Sequence, residues 1–149
     1  ILGIVLGGVF FVTMLLIYDG MCGLCHRSVT FAMDHDPSGL LFSFSPSSSE
    51  YGRHRLEELN LGLEPRSIVL ITEYDEVLLK SDAALRVLSV LGPPWSWLAK
   101  LGQWVPKTLR DHLYDRISVN RRLLFEQPPS ICPTVPSHQS FRYRLRLEK

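Results

Sequence analysis

Cysteine is scarce in this chain, and the number of cysteines is odd. The 149-residue sequence contains three, which are Cys22, Cys25 and Cys132. A small secreted domain held together by disulfides needs more cysteines, usually an even number of them. This scarcity argues against a secreted structural protein. We therefore expect the close pair, Cys22 and Cys25, to be reactive or to bind a metal.

A large excess of charge of one sign is also lacking, because the formal net charge is +1. Acidic side chains predominate in residues 1–75 and basic ones in residues 76–149. No long basic run with interleaved aromatic residues occurs, so we expect no nucleic-acid partner. The length and the 46% hydrophobic content are ordinary for one globular domain with its own core.

The first 17 residues contain no charged side chain. A membrane-spanning helix needs about 20 apolar residues, and the basic flank of a signal peptide is absent. The Val, Phe and Ile content before Asp19-Gly20 predicts a buried strand over residues 11–18. Because the first residue is Ile, we expect a fragment or a processed form. Residues 1–10 are then an apolar extension or the remnant of a membrane anchor, through which membrane contact is conceivable.

Helical spacing follows the two cysteines. A helix that begins near Cys22 would place a common buried face on Cys25, Val29, Ala32 and Met33. The elements predicted next are a strand over 40–44, a helix opened by a capping box of Ser47 and Glu50, a hairpin of strands at 67–72 and 77–80, and a helix capped by Ser81. This order of elements is typical of a thioredoxin-like α/β domain.

Further helices are predicted at the C-terminal side, one around residues 95–103 and one that opens at Pro106. The side chains expected to face inward from the second of these helices are Leu109, Leu113, Tyr114 and Ile117. Those expected to pack the added helices together are Trp95, Trp97 and Trp104. Arg121 and Arg122 are expected to be solvated. Residues 134–149 are predicted as a polar, basic tail.

The position of the cysteines favours dithiol chemistry. Cys22 would lie at a helix N-terminus, where unpaired N–H groups and the helix dipole favour a thiolate. Cys22 is then the nucleophile, and Cys25, one helical turn further, resolves the mixed disulfide that Cys22 forms with a substrate. This chemistry requires neither a cofactor nor a bound metal.

Two other chemistries use the same cysteine spacing. Cys22, Cys25 and His26 fit the attachment pattern of a c-type haem, which would also need a second axial ligand and a mostly helical surround. A zinc site would combine both cysteines with Cys132 and either His26 or His138. Predicted strands on both sides of the motif disfavour the haem, and the lack of a second close pair disfavours zinc.

Several stretches together resemble one family, the DCC family of thiol-disulfide oxidoreductases. The resemblance runs from about residue 12 to residue 133 and rests on Tyr18-Asp19-Gly20-Met21-Cys22-Gly23-Leu24-Cys25, Ser81-Asp82-Ala83-Ala84, Gly92-Pro93-Pro94-Trp95, Val105-Pro106, Tyr114-Asp115-Arg116-Ile117, Asn120-Arg121 and Cys132-Pro133. It implies a thioredoxin-like sheet flanked by helices, with a C-terminal helical extension, over a domain of residues 11–133.

The resemblance also implies a protein-disulfide reductase whose catalytic residues are Cys22, Cys25 and Asp19. We expect Asp19 to cap the helix, to accept the Cys25 proton, or to form a plain Asp-Gly turn. Thioredoxin itself has a cis-proline before the strand beside its dithiol, and this chain has Ser67 there, before Ile68.

The partners expected for such a domain are a disulfide-containing protein or a small thiol and an electron donor. A reducing intracellular compartment or organelle is favoured by the few cysteines. A non-catalytic module that senses redox state or docks a partner or a membrane is the alternative function.

Overall fold

The computed structural model of the chain describes residues 3–6, 9–36, 38–62 and 67–124. Their elements, in chain order, are β1 (Gly3–Leu6), β2 (Val9–Val12), β3 (Met14–Tyr18), α1 (Gly23–Asp34), β4 (Phe42–Pro46), α2 (Glu50–Glu58), β5 (Val69–Ile71), β6 (Val77–Leu79), α3 (Lys80–Val90), α4 (Trp95–Gln103) and α5 (Lys107–Leu124). Cys132, His138, the basic tail at 134–149 and the last part of the predicted 11–133 domain lie outside the described residues.

Four strands form a mixed sheet in the order β4-β3-β5-β6. β3 runs parallel to β4, and the pairings of β3 with β5 and of β5 with β6 are antiparallel. Leu16, in the middle of β3, is opposite Phe44 on one side and Leu70 on the other. This sheet with flanking helices confirms the predicted α/β class and is consistent with a thioredoxin-like fold.

The central strand β3 is buried along its whole length. Since side chains alternate across a strand, Leu16 and Tyr18 contact a cluster that includes α1, whereas Leu15 and Ile17 contact a cluster that includes α2. The predicted inward face of α1 is confirmed, because Cys25, Val29, Ala32 and Met33 are buried there. Both faces of the sheet are therefore covered, as a continuous apolar strand requires.

The N-terminal strands differ from the prediction. Residues 11–12 belong to β2, which pairs with β1 in a separate antiparallel hairpin, so the single strand predicted over 11–18 starts too early. β3 begins at Met14. Within the described ranges, no helix combines the length and the apolar character that crossing a bilayer demands.

Two predicted helix caps are also wrong. The N-cap of α2 is Ser49, whose Oγ accepts the Gly52 N–H at 3.0 Å, and not Ser47. The N-cap of α3 is Leu79, which makes no side-chain cap bond, and Ser81 lies inside the helix. The Ser81 hydroxyl instead donates to Asp111 of α5.

The last helix, α5, is joined to α3 by polar contacts. Lys80 pairs with Asp115 at 2.9 Å, and Arg110 pairs with Asp82 at 3.2 Å, so ion pairs join α3 to α5. The inward orientation was predicted wrongly for Leu109, Leu113 and Ile117, which are exposed.

Of the three tryptophans predicted to pack the added helices together, one packs against the domain and two are exposed. Trp95 packs edge-on against Phe31, which lies in α1, and against His35, which is the C-cap residue of α1. Trp97 and Trp104 are exposed, so the predicted packing of the added helices by all three rings is wrong. The helical extension thus leaves apolar side chains of α4 and α5 on its surface.

Gly52 provides a test of the contact between α2 and β4. A Cβ atom at this position would overlap the Pro46 carbonyl oxygen, although alanine is otherwise the better helix former. We expect Gly52→Ala to lower the free energy of unfolding by about 1–3 kcal/mol, as overpacking does. Urea denaturation measures the change. Gly62→Ala is the matched control, because nothing lies within 4 Å of its Cβ position. Equal stability of the two variants would contradict this packing.

Candidate active site

Cys22 is the N-cap residue of α1. Its backbone is extended, with φ −101° and ψ 118°, and its Sγ accepts the backbone N–H of Cys25 at 3.3 Å. The loop before it is closed by a bond from the Cys22 N–H to the Asp19 carbonyl at 3.2 Å. A tight loop therefore follows β3, and it places the Cys22 sulfur where the side-chain oxygen of an N-cap residue usually lies.

The two sulfurs have opposite acidities. The Cys25 thiol donates to the Cys22 sulfur, and together with the Cys25 N–H and the Arg121 charge it lowers the Cys22 pKa from 9.0 to about 6, against the effect of burial. The same bond, with burial, raises the pKa of Cys25 well above its usual range. At neutral pH Cys22 is therefore mostly a thiolate and Cys25 a thiol, the distribution predicted for nucleophile and resolving residue.

Asp19 lies in the loop between β3 and α1. Its Oδ1 accepts the Met21 N–H at 3.0 Å, two residues further along, as in an Asp-Gly turn. Its Oδ2 accepts from Arg121 Nη2 at 3.1 Å. Because the helix cap is Cys22, the capping role considered for Asp19 is wrong, and its carboxylate joins the loop to α5 instead.

Arg121 reaches the dithiol from the last turns of α5. Its side chain is only 12% exposed, and its Nη1 lies 3.8 Å from Cys25 Sγ. The prediction that Arg121 is solvated is therefore wrong. The sequence signal that could have found it is the Asn120-Arg121 pair within the family resemblance, to which no role was given. Spacing gave no hint, since 96 residues separate Arg121 from Cys25.

Tyr114, also from α5, contacts the residue that precedes β5. Its hydroxyl oxygen accepts the Ile68 N–H at 3.1 Å. Burial raises the pKa of Tyr114, so the phenol stays protonated. This bond joins α5 to the residue directly after Ser67, which stands where thioredoxin has its cis-proline.

Both sulfurs are enclosed in this arrangement. Cys22 is 2% exposed and Cys25 4% exposed, whereas Met21 beside them is half exposed. Neither cysteine is in a disulfide. A substrate sulfur must approach Cys22 in line, so a bulky disulfide reaches it only when the residues over it move.

The sequence comparisons agree with this site. A model of the DCC1-like thiol-disulfide oxidoreductase family matches residues 16–127. The chain belongs to this family. It is 31% identical over 116 residues to a chloroplastic DCC family protein of Arabidopsis thaliana, over 78% of this chain and 67% of that relative. It is 38% identical over 106 residues to YuxK of Bacillus subtilis, a protein described as uncharacterized, over 71% of this chain and 76% of that relative. No solved structure matches significantly.

Membership of the DCC1-like family supports oxidoreductase activity in general, and the structure brings the two sulfurs of the Cys-x-x-Cys pair together. The resemblance identified from the sequence is thereby confirmed. The matched range contains Asp19, both cysteines of the pair, Tyr114 and Arg121.

His26, which the haem and zinc alternatives need, is engaged within the DCC1-like site. Its Nε2 hydrogen-bonds the Gly20 carbonyl at 3.0 Å, and its ring lies edge-on to Tyr18. Ligation through Nε2 would require this bond to break. Across the described part of the chain, no group of three or more His, Cys, Asp or Glu is placed to hold a metal ion.

An apolar cavity of about 410 Å³ lies between α1 and α3. Its size is within the range that binds small molecules. Ile68 forms part of the wall, and Arg27 and Ser28 are its polar members. Neither Cys22 nor Cys25 lines it, so the cavity by itself does not bring a ligand onto the sulfurs.

The acidity of Cys22 predicts a distinctive pH profile. A thiol of pKa about 6 is converted to the reactive thiolate as the pH rises through 6. An ordinary thiol of pKa 9.0 is converted only near pH 9. We expect the rate at which iodoacetamide alkylates Cys22 to rise with pH, with a midpoint near pH 6. Peptide mass spectrometry measures this rate. In Cys25→Ala, which removes the donating thiol, the midpoint is expected to move upward. A Cys22 midpoint near 9 in the unchanged chain would contradict this site.

Proposed function

We propose that the chain is a protein-disulfide reductase in which Cys22 is the nucleophile and Cys25 the resolving cysteine. The observation that carries the proposal is the hydrogen bonding of Cys22 Sγ at the helix N-cap, which stabilises its thiolate. Family membership supports thiol-disulfide chemistry, and the division of acidity between the sulfurs supports these two roles.

The reaction has two exchanges. The Cys22 thiolate attacks one sulfur of the substrate disulfide, forms a mixed disulfide and releases the other sulfur as a thiolate, which takes a proton from water. Cys25 then loses its proton to solvent and attacks the Cys22 sulfur, which forms the Cys22–Cys25 disulfide and releases the second substrate thiol. Two electrons pass from the dithiol to the substrate. An external dithiol donor must restore the reduced pair before the next cycle.

The proposed substrate is a protein disulfide or a small disulfide such as that of glutathione. The location that we propose is a reducing cellular compartment or an organelle. The low cysteine count favours this location, and the chloroplastic relative in Arabidopsis favours an organelle.

A redox sensor is the second candidate, and the burial of both sulfurs favours it. An enclosed dithiol reacts slowly with protein disulfides and suits a single oxidation that changes a partner contact. Turnover distinguishes the two functions, because a sensor reacts once whereas a reductase cycles with an electron donor.

The first test is catalytic turnover. With dithiothreitol as donor, we expect the chain to reduce glutathione disulfide repeatedly, measured as glutathione released per protein molecule beyond the release that dithiothreitol gives without the protein. Cys22→Ser removes the nucleophile and is expected to abolish turnover. When dithiothreitol is left out, Cys25→Ser, which lacks the resolving thiol, is expected to accumulate a mixed disulfide with glutathione, detected as added mass on Cys22. Cys132→Ser is the control. Full turnover in Cys22→Ser, or no mixed disulfide on Cys22 in Cys25→Ser, would refute the assigned roles.

The second test is the reduction potential. Nucleophile pKa values are about 7 in thioredoxin and about 3.5 in the oxidant DsbA, with potentials of about −270 and −120 mV. Because a more stable thiolate stabilises the reduced form, a Cys22 pKa of about 6 predicts a potential between these two and nearer that of thioredoxin. Equilibration with glutathione buffers, read by mass, measures it. A potential at the DsbA end would overturn the reductase direction and support an oxidase.

A further inference from the structure

Arg121 is the one cation that the described contacts place against both Asp19 and the dithiol. Its two terminal nitrogens are used separately, with Nη2 on Asp19 Oδ2 at 3.1 Å and Nη1 on Cys25 Sγ at 3.8 Å. The guanidinium is largely withdrawn from solvent, where a charge acts more strongly on its neighbours than it does in water. A positive charge at this place matters for the second of the two exchanges described above, in which Cys25 attacks the mixed disulfide.

This second exchange is the resolving step. In the resting dithiol, Cys25 holds its proton because its thiol donates to the Cys22 thiolate. Once Cys22 is bonded to substrate, its sulfur carries no charge and this bond to a thiolate no longer exists. The negative charge must then develop on Cys25, which is enclosed and therefore poorly solvated.

We propose that Arg121 stabilises the Cys25 thiolate in the resolving step and that Asp19 is the positioning residue that holds the Arg121 guanidinium against Cys25. The proposal rests on the proposed function, since it concerns the second exchange of that cycle. Cys25 Sγ–H gives its proton to solvent, the thiolate attacks Cys22 Sγ, and the substrate sulfur leaves with the electron pair of the broken bond. Arg121 neither gains nor loses a proton.

The other titratable groups around Cys25 leave this role to Arg121. Asp19, from the loop after β3, carries a negative charge and by itself opposes a Cys25 thiolate. Cys22, on the same helix, is uncharged in the mixed disulfide. Tyr114, from α5, is a protonated phenol that binds the Ile68 N–H. Among the charges of the described residues, that of Arg121 lowers the Cys25 pKa, whereas those of the Cys22 thiolate and Asp19 raise it.

The test separates the two exchanges in one reaction. In a Cys132→Ala background, dithiobis(nitrobenzoate) releases one coloured thiolate when Cys22 attacks it and a second when Cys25 resolves the mixed disulfide. The second phase is intramolecular, so it does not depend on how easily the reagent reaches the enclosed Cys22. A stopped-flow record of colour gives both rates when the reagent is concentrated enough for its reaction with Cys22 to be faster than resolution.

We expect Arg121→Gln to slow the second phase by about tenfold and the first phase by much less. Loss of a cation this close raises a thiol pKa by about two units, which lowers the thiolate fraction about a hundredfold. A more basic thiolate is about tenfold more nucleophilic, which offsets part of that loss. Arg121→Lys keeps the charge and is expected to restore most of the second phase.

Arg116→Gln is the matched control, because Arg116 is an exposed arginine on the same helix, and both phases should be unchanged in it. Arg121→Met, which keeps the length of the side chain for packing, is the second variant if Arg121→Gln does not fold. If Asp19 positions Arg121, then Arg121→Gln should slow resolution less in an Asp19→Asn background. An equal slowing there would overturn the role of Asp19.

The two proposals fail in different ways. If the chain without changes at Asp19 or Arg121 shows only the first phase, Cys25 does not resolve and the proposed function fails. If it shows both phases and the folded Arg121 variants show the same second rate, the function stands and the role of Arg121 is refuted. A loss in Arg121→Gln that Arg121→Lys does not restore would also refute an electrostatic role.

Discussion

Burial of β3 on both faces is the constraint on which the rest of this structure depends. The strand must pair with β4 on one side and β5 on the other, and its alternate side chains must contact α1 and α2. These pairings fix where the strand ends, at Tyr18, which is fully buried. The loop that follows has little freedom, so the Cys22 sulfur is held at the N-terminus of α1.

The chemistry of the site comes from an asymmetry between two identical side chains. Cys22 lies outside the first turn of α1 and receives the Cys25 N–H, whereas Cys25 lies on the buried face of the same helix. One hydrogen bond between the sulfurs then favours a thiolate on Cys22 and a thiol on Cys25. The proposed resolving step reverses this preference, and α5 places the Arg121 cation near Cys25, where it favours the Cys25 thiolate.

The helical extension is therefore part of the site, because it contributes Arg121, which contacts Asp19 and Cys25. Its last helix, α5, is attached through ion pairs with α3 and through the Tyr114 hydroxyl on the Ile68 N–H, while Leu109 and Leu113 face outward. Polar attachment has a defined geometry, since hydrogen bonds depend on direction as well as distance. This property suits a helix that must place one guanidinium against one sulfur.

The sequence by itself determined the features whose causes are local. The inward face of α1, the hairpin of β5 and β6, and the position of Cys22 and Cys25 at the start of α1 follow from side-chain periodicity and cysteine spacing. The motifs along the chain also determined the family. The tertiary structure alone decided that α5 turns Arg121 inward and Leu109 outward. Amphipathic patterning predicted the reverse. It depends only on the spacing of apolar residues along the helix itself, so it contains no information about an ion pair or a thiolate contributed by residues about a hundred positions away.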